Sequence, residues 1–172
     1  IDSFCELQFG KISTVYIEEE TTFVITNLNT IPGETLTELD GGSLLGKVVK
    51  LAGTERFEVR TEVANMSVRG TEFRVQYGKN RETTVSVKSG AVAVLPVPSG
   101  WTEFEKETPG GEAFFRELAH MAPLIEAGEE VTIDREEAEK TEKIIKNYKK
   151  DIARINKKPD RATKLKDLAT RV

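Results

Sequence analysis

The side chains of this 172-residue chain that could do chemistry are few and scattered. There is one cysteine, Cys5, and one histidine, His120. A thiolate with an imidazole base is a common nucleophilic device, but these two stand far apart, and no G-x-S-x-G elbow offers a serine instead. Metal sites gather several His, Cys or carboxylate ligands at set spacings, and neither HxxxH nor CxxC occurs. Glu103, Glu105 and Glu107 share the parity of Trp101 if the segment from Trp101 to Phe104 opens a short strand. Carboxylates on a common face can hold Ca²⁺ or form an acid/base pair. No Asp-rich loop accompanies them, and a solvated edge that discourages strand pairing accounts for them. Gly41-Gly42 precedes a strand-like run rather than a helix, so it makes no phosphate cradle. We therefore expect no enzyme, no catalytic residue, no metal site and no cofactor. His120 reads as a surface or cap histidine. Cys5 shares parity with Leu7 and Phe9 and reads as a small buried residue; alone, it can form no internal disulfide.

The elements that would position such groups are mostly strands. Phe57, Val59 and Thr61 share one parity, and so do Phe73, Val75 and Tyr77; a period of two is what a half-buried strand requires. Gly70 lies between these runs, where a residue without Cβ can take a bend closed to others. Turn chemistry recurs at Gly10-Lys11, Pro32-Gly33, Asp40-Gly41-Gly42, Ala52-Gly53-Thr54, Gly78-Lys79-Asn80 and Ser89-Gly90. Short strands so spaced predict an all-β sandwich, barrel or solenoid over residues 1–95. Prolines and glycines then break the pattern between residues 96 and 123, which reads as an insertion. Within it, Phe114, Phe115, Leu118 and Met121 fall on one side of a helix over Glu112–Met121, ended by Pro123.

From Asp134 a longer helix is predicted. Asp134 with Glu137 resembles a capping box, and Thr141, Ile144, Ile145, Tyr148, Ile152 and Ile155 follow helical spacing. Acidic residues crowd its first turns and basic ones its last, which suits the helix dipole. Pro159 ends it, and Asp160 can cap a shorter helix carrying Leu165 and Leu168. Lys146–Val172 holds ten Lys or Arg against three Asp, a net of +7, whereas Trp101–Ile145 holds five against thirteen, a net of −8. The Ile/Tyr stripe must be covered. Either it packs on its own β domain, or Ile144, Ile145, Tyr148, Ile152 and Ile155 form a partner contact.

The stretch Phe57–Val75, FEVRTEVANMSVRGTEFRV, resembles the signature of the FecR-domain family, in which an F-x-V-x-T strand precedes V-R-G-T-x-F-x-V. Thr83–Val94, TTVSVKSGAVAV, is similar to the T-x-V-x-V-x-x-G-x-V-x-V hairpin that follows. Leu7–Leu28 and Leu39–Val49 resemble the family's approach to that signature, and Leu124–Ile133 its closing turn. The resemblance implies an extracytoplasmic, periplasmic domain of right-handed, single-stranded β-helix type, often beside a membrane anchor. Relatives near iron-uptake genes relay a signal from an outer-membrane transporter to a cytoplasmic sigma factor. In this chain a charged helical tail stands where those regulators carry a small mixed α/β subdomain. Phe57, Val59, Val68, Arg69, Gly70, Thr71, Phe73 and Val75 carry the motif and are expected to be structural, with Arg69 either bracketing the bend or meeting an anion or partner.

Composition narrows the rest. A net charge of −4 disfavours general nucleic-acid binding, and no apolar run approaches the length of a membrane span. The chain opens at Ile1 inside an apparent strand, so a targeting or anchoring segment is expected upstream. The architecture expected is a mainly β solenoid-like domain over residues 1–133, with a helical appendage over 134–172. Its expected role is a non-enzymatic module binding protein partners of the cell envelope in signalling, or alternatively a structural scaffold there.

Overall fold

The computed structural model describes residues 3–9, 13–28, 34–49 and 56–156. Alternation of apolar and polar residues is expressed as nine consecutive strands: β1 (Cys5–Phe9), β2 (Ser13–Ile17), β3 (Thr22–Leu28), β4 (Glu34–Val48), β5 (Arg56–Arg60), β6 (Ala64–Val68), β7 (Glu72–Tyr77), β8 (Thr83–Ser89) and β9 (Ala91–Pro96). Helices α1 (Trp101–Glu107) and α2 (Gly111–His120), short strands β10 (Leu124–Glu126) and β11 (Glu130–Ile133), and helix α3 (Arg135–Asn156) follow.

The strands form one 11-stranded sheet folded into two layers. β4 belongs to both. Its first half pairs with β3 and β5, and its second half with β2 and β7. One layer is β1-β2-β4-β7-β8-β11, the other β3-β4-β5-β6-β9-β10, and the whole is nearly closed like a barrel. Phe57, Val59, Val68, Phe73, Val75, Val85 and Val92 point between the layers and are almost wholly buried. The mainly β class with C-terminal helices is thus present. A right-handed solenoid would stack parallel rungs, whereas every described strand pair except β4–β5 is antiparallel.

The signature makes a corner. β6 lies in one layer and β7 in the other, and the chain changes layer at Gly70, whose φ is 71°. Thr71 fastens the crossing: its N–H donates to Val48 O and its carbonyl accepts from Val48 N–H, both at 2.9 Å, while its Oγ1 donates to Ala91 O at 2.8 Å. Ser89-Gly90, which reads as a hairpin turn in the sequence, is a second corner of the same kind. β8 pairs with β7 and β11, β9 with β6 and β10, and the two do not pair with each other. The two corners touch, since a Cβ on Gly90 (φ 81°) would collide with the carbonyl of Gly70.

Three other expectations change. Asp40-Gly41-Gly42 is no chain reversal but a kink inside the continuous β4, with Gly42 at φ 92°. Cys5 is exposed, because β1 is an edge strand and only Leu7 and Phe9 of that parity reach the core. Trp101–Glu107 is a helix. Trp101 and Phe104, three apart, are both buried, and that spacing prevails over the alternation of the glutamates. The expected turns at Gly10-Lys11, Pro32-Gly33 and Ala52–Thr54, with Pro159 and the Asp160 helix, lie outside the described residues.

A second core forms beside the sheet. Leu95, Val97, Trp101, Phe104, Phe114, Phe115, Leu118, Ile145, Tyr148 and Ile152 pack together, with Tyr148 stacked on Phe114 at 4.1 Å between ring centroids. α3 begins where expected, Asp134 Oδ1 accepting from Glu137 N–H at 2.9 Å, and Ala138 near its start joins the first core.

Candidate functional site

α1 and α2 lie against the outer face of the β3-to-β10 layer and leave a groove of about 530 Å³ beside them. Alternation builds its floor. Val92 and Val94 of β9 and Met66 and Val68 of β6 turn inward, so Asn65, Ser67, Ala91 and Ala93 turn outward. Ser67 and Ala93 are direct cross-strand partners, and their small side chains keep the floor low. One wall is α2, with Glu112, Phe115, Arg116, Ala119 and His120; the opposite side is Leu36 of β4 with Arg56 and Glu58 of β5.

At one end stands an ordered charge cluster. Arg60 donates from Nη1 to Glu105 at 3.1 Å and from Nη2 to Glu58 at 3.2 Å, and its guanidinium lies 4.5 Å over the Trp101 ring. All three charged side chains are largely covered. Trp101 and Glu105 are one helical turn apart in α1, which is why one face of that helix supplies both. Burial pushes the Glu105 carboxyl above its ordinary range, and the Arg60 charge opposes that rise. Next to Arg60 in the ladder is Asn65, 4 % exposed. Arg60 Nε and Asn65 Oδ1 are buried polar atoms without a partner among the described residues.

A second, more polar hollow lies around Tyr77, Glu62, Arg81 and Glu103. Tyr77 donates to Glu62 at 2.7 Å, and burial first, then that carboxylate, push its phenol up to about 12. Among the described residues no group of three or more His, Cys, Asp or Glu is placed to hold a metal ion.

The sequence candidates are distributed unevenly over this surface. Phe57, Val59, Val68, Thr71, Phe73 and Val75 are buried framework, and Gly70 is the corner. Arg69 is exposed and lines the groove, with an interaction of its own. His120 lies on the groove's rim, exposed at the end of α2. Glu105 enters the charge cluster, while Glu103 and Glu107 face solvent. Ile145, Tyr148 and Ile152 are covered by the chain's own second core, and Ile144 is 43 % exposed. Nothing in the sequence marks Arg60 or Asn65, because an arginine between glutamates on an alternating strand looks like a solvated face. The buried Trp101 was the available signal, since a helix carrying it has to cover something.

Two sheet-switching corners, a strand shared by both layers and a helical cover over one outer face define a mainly β domain. A family model described as FecR protein matches residues 2–93, slightly more than half of the chain, and the chain belongs to that family. Two crystal structures of a putative anti-sigma factor from Parabacteroides distasonis ATCC 8503 share the fold. One superposes with a TM-score of 0.56 at 19 % identity, the other with 0.54 at 18 %; each alignment covers 77 % of this chain and 51 % of that protein. This chain therefore spans about half the length of those proteins. No curated protein matches. Among the described residues no helix is long and apolar enough to cross a membrane.

Proposed function

We propose that this chain is the extracytoplasmic, periplasmic sensing module of an envelope signalling system. In this reading it binds a protein partner without catalysing a reaction, and its state is relayed to a sigma factor. The observation that carries the proposal is membership of the FecR family over residues 2–93; the shared fold with a protein described as an anti-sigma factor is in keeping with it. Residues 1–133 would be the sensing domain and 134–172 its appendage, with the groove beside Arg69 as the surface offered to partners.

The experiment is crosslinking in the source cell with a photoreactive residue at Arg116, together with a reporter for the sigma factor encoded nearby. Capture of an outer-membrane transporter or a sigma-factor regulator, with altered reporter output on deletion of the gene, is the expected result. Recovery of wall or structural components alone, with an unchanged reporter, would replace sensing by an envelope scaffold role.

A further inference from the structure

We propose that the end of the groove away from Arg60 binds the carboxylate of a small organic acid, whose apolar body lies along the groove floor. This names a chemical input to the sensing role and rests on that role for biological meaning. The binding itself is measured separately.

The charges lining the groove sort by position. At one end they are matched, Arg60 being held by Glu58 and Glu105. On α2, Arg116 donates to Glu112 at 2.8 Å. At the other end, Arg56 and Arg69 follow the Phe57–Val68 pair by one step on neighbouring antiparallel strands. Phe57 and Val68 point into the core, so both arginines take the outward parity, and both line the groove. Like charges side by side across a ladder repel. Among the described residues lining the groove, Glu34 is the one carboxylate left at this end; it is the register partner of Arg56 on the parallel strand β4. Two guanidiniums against one carboxylate leave the end short of an anion. Arg69 keeps an interaction of its own, and its several N–H donors let a guanidinium serve a second partner. A carboxylate suits the guanidinium fork in shape as well as charge, forming paired N–H···O bonds.

The rest of the groove fits the body of such a ligand. Its volume of about 530 Å³ lies within the roughly 300–1,000 Å³ typical of small-molecule pockets. Ser67, Ala91 and Ala93 keep the floor low, and Leu36 and Leu124 supply apolar contact at the sides. Arg56 and Arg60 lie four residues apart on β5, about 13 Å at roughly 3.3 Å per residue. Arg60, already holding two carboxylates, has no call for a third. The ligand therefore carries one acid group, at the Arg56 and Arg69 end, and a body without charge.

The test is a ¹H–¹⁵N NMR titration of the full chain with octanoate, alongside octanol and inorganic phosphate. Saturable octanoate shifts of the Arg56 and Arg69 Nε–H signals and of the Ser67 and Ala93 amides are expected. Octanol keeps the body and lacks the charge, and should bind roughly tenfold more weakly; octanoate should lose about as much on Arg56→Gln. Ala93→Leu fills the half-buried floor while leaving both arginines, and should weaken octanoate likewise if Arg56→Gln does not fold. Absence of saturable shifts, octanol or phosphate binding as tightly as octanoate, or full octanoate affinity in the variants would each overturn the inference. These readouts do not involve the sigma-factor reporter, so failure here and failure of the sensing role are told apart.

Discussion

Gly90→Ala should be among the most damaging single-methyl additions to this domain. Gly90 sits at φ 81°, and the added Cβ would come within 3.0 Å of Thr71 Oγ1 and 3.1 Å of Thr71 Cα, and closer still to the Gly70 carbonyl. The left-handed backbone costs an L-residue about 1–2 kcal/mol. Forcing a methyl into a packed contact adds about 1–3 kcal/mol. The neighbours here are mostly main chain, tied by Thr71 to Val48 and Ala91, and they cannot swing aside. The sum, about 2–5 kcal/mol, is a large share of the roughly 5–15 kcal/mol that holds such a domain together. Gly128→Ala isolates the first term, because Gly128 has φ 86° but no atom within 4 Å of its Cβ position. Urea denaturation of both variants should show Gly90→Ala losing at least about 1 kcal/mol more than Gly128→Ala. Equal losses would mean that contact between the two corners contributes nothing, and the account of the signature would fail.

Replacing Arg60 by Met strips the cation from Glu58 and Glu105 and should cost about 3 kcal/mol at neutral pH. Glu105, already raised by burial, then rises further. The folded state of the variant would hold its proton more tightly than the unfolded state, so the deficit should shrink as pH falls toward about 4 and be complete above the raised pKa; a deficit independent of pH in urea melts argues against the cluster. Ile152→Ala should remove about 2–5 kcal/mol from the helical core. Hydrogen exchange should then quicken in α3 first, and equal loss of protection in β5 and β7 would show that the two cores unfold as one. Ultraviolet titration should find a tyrosine ionising near 12 that disappears in Tyr77→Phe. Because the unfolded phenol ionises near 10, the folded state should lose stability as pH rises from about 10 to about 12; a Tyr77→Phe variant with an unchanged titration curve contradicts the assignment.

Strong local signals in the sequence have direct counterparts in the fold. Period-two runs around Phe57 and Phe73 became strands, Gly70 became a bend, Phe114 to Leu118 lined one helix face, and Asp134 capped another. What could not be read was pairing at a distance. TTVSVKSGAVAV has the alternation of a hairpin, and nothing within twelve residues reveals that its halves pair with β7 and β6 instead. A kink at Gly42 that leaves β4 continuous looks, in one dimension, like a turn. The groove was hidden for the same reason. The charge cluster at its end joins β5 to α1 across 45 positions, and Asn65 draws attention only once α1 covers the strand beside it.

The shared strand has a mechanical corollary. Glu34, Thr35 and Leu36, at the start of β4, border the groove, while Gly42–Lys47 of the same strand is laced to β7 in the opposite layer. Because its backbone is continuous across the Gly41-Gly42 kink, β4 ties the border of the groove to the opposite layer with no helix between them. A displacement of its first residues therefore has a hydrogen-bonded path to β7.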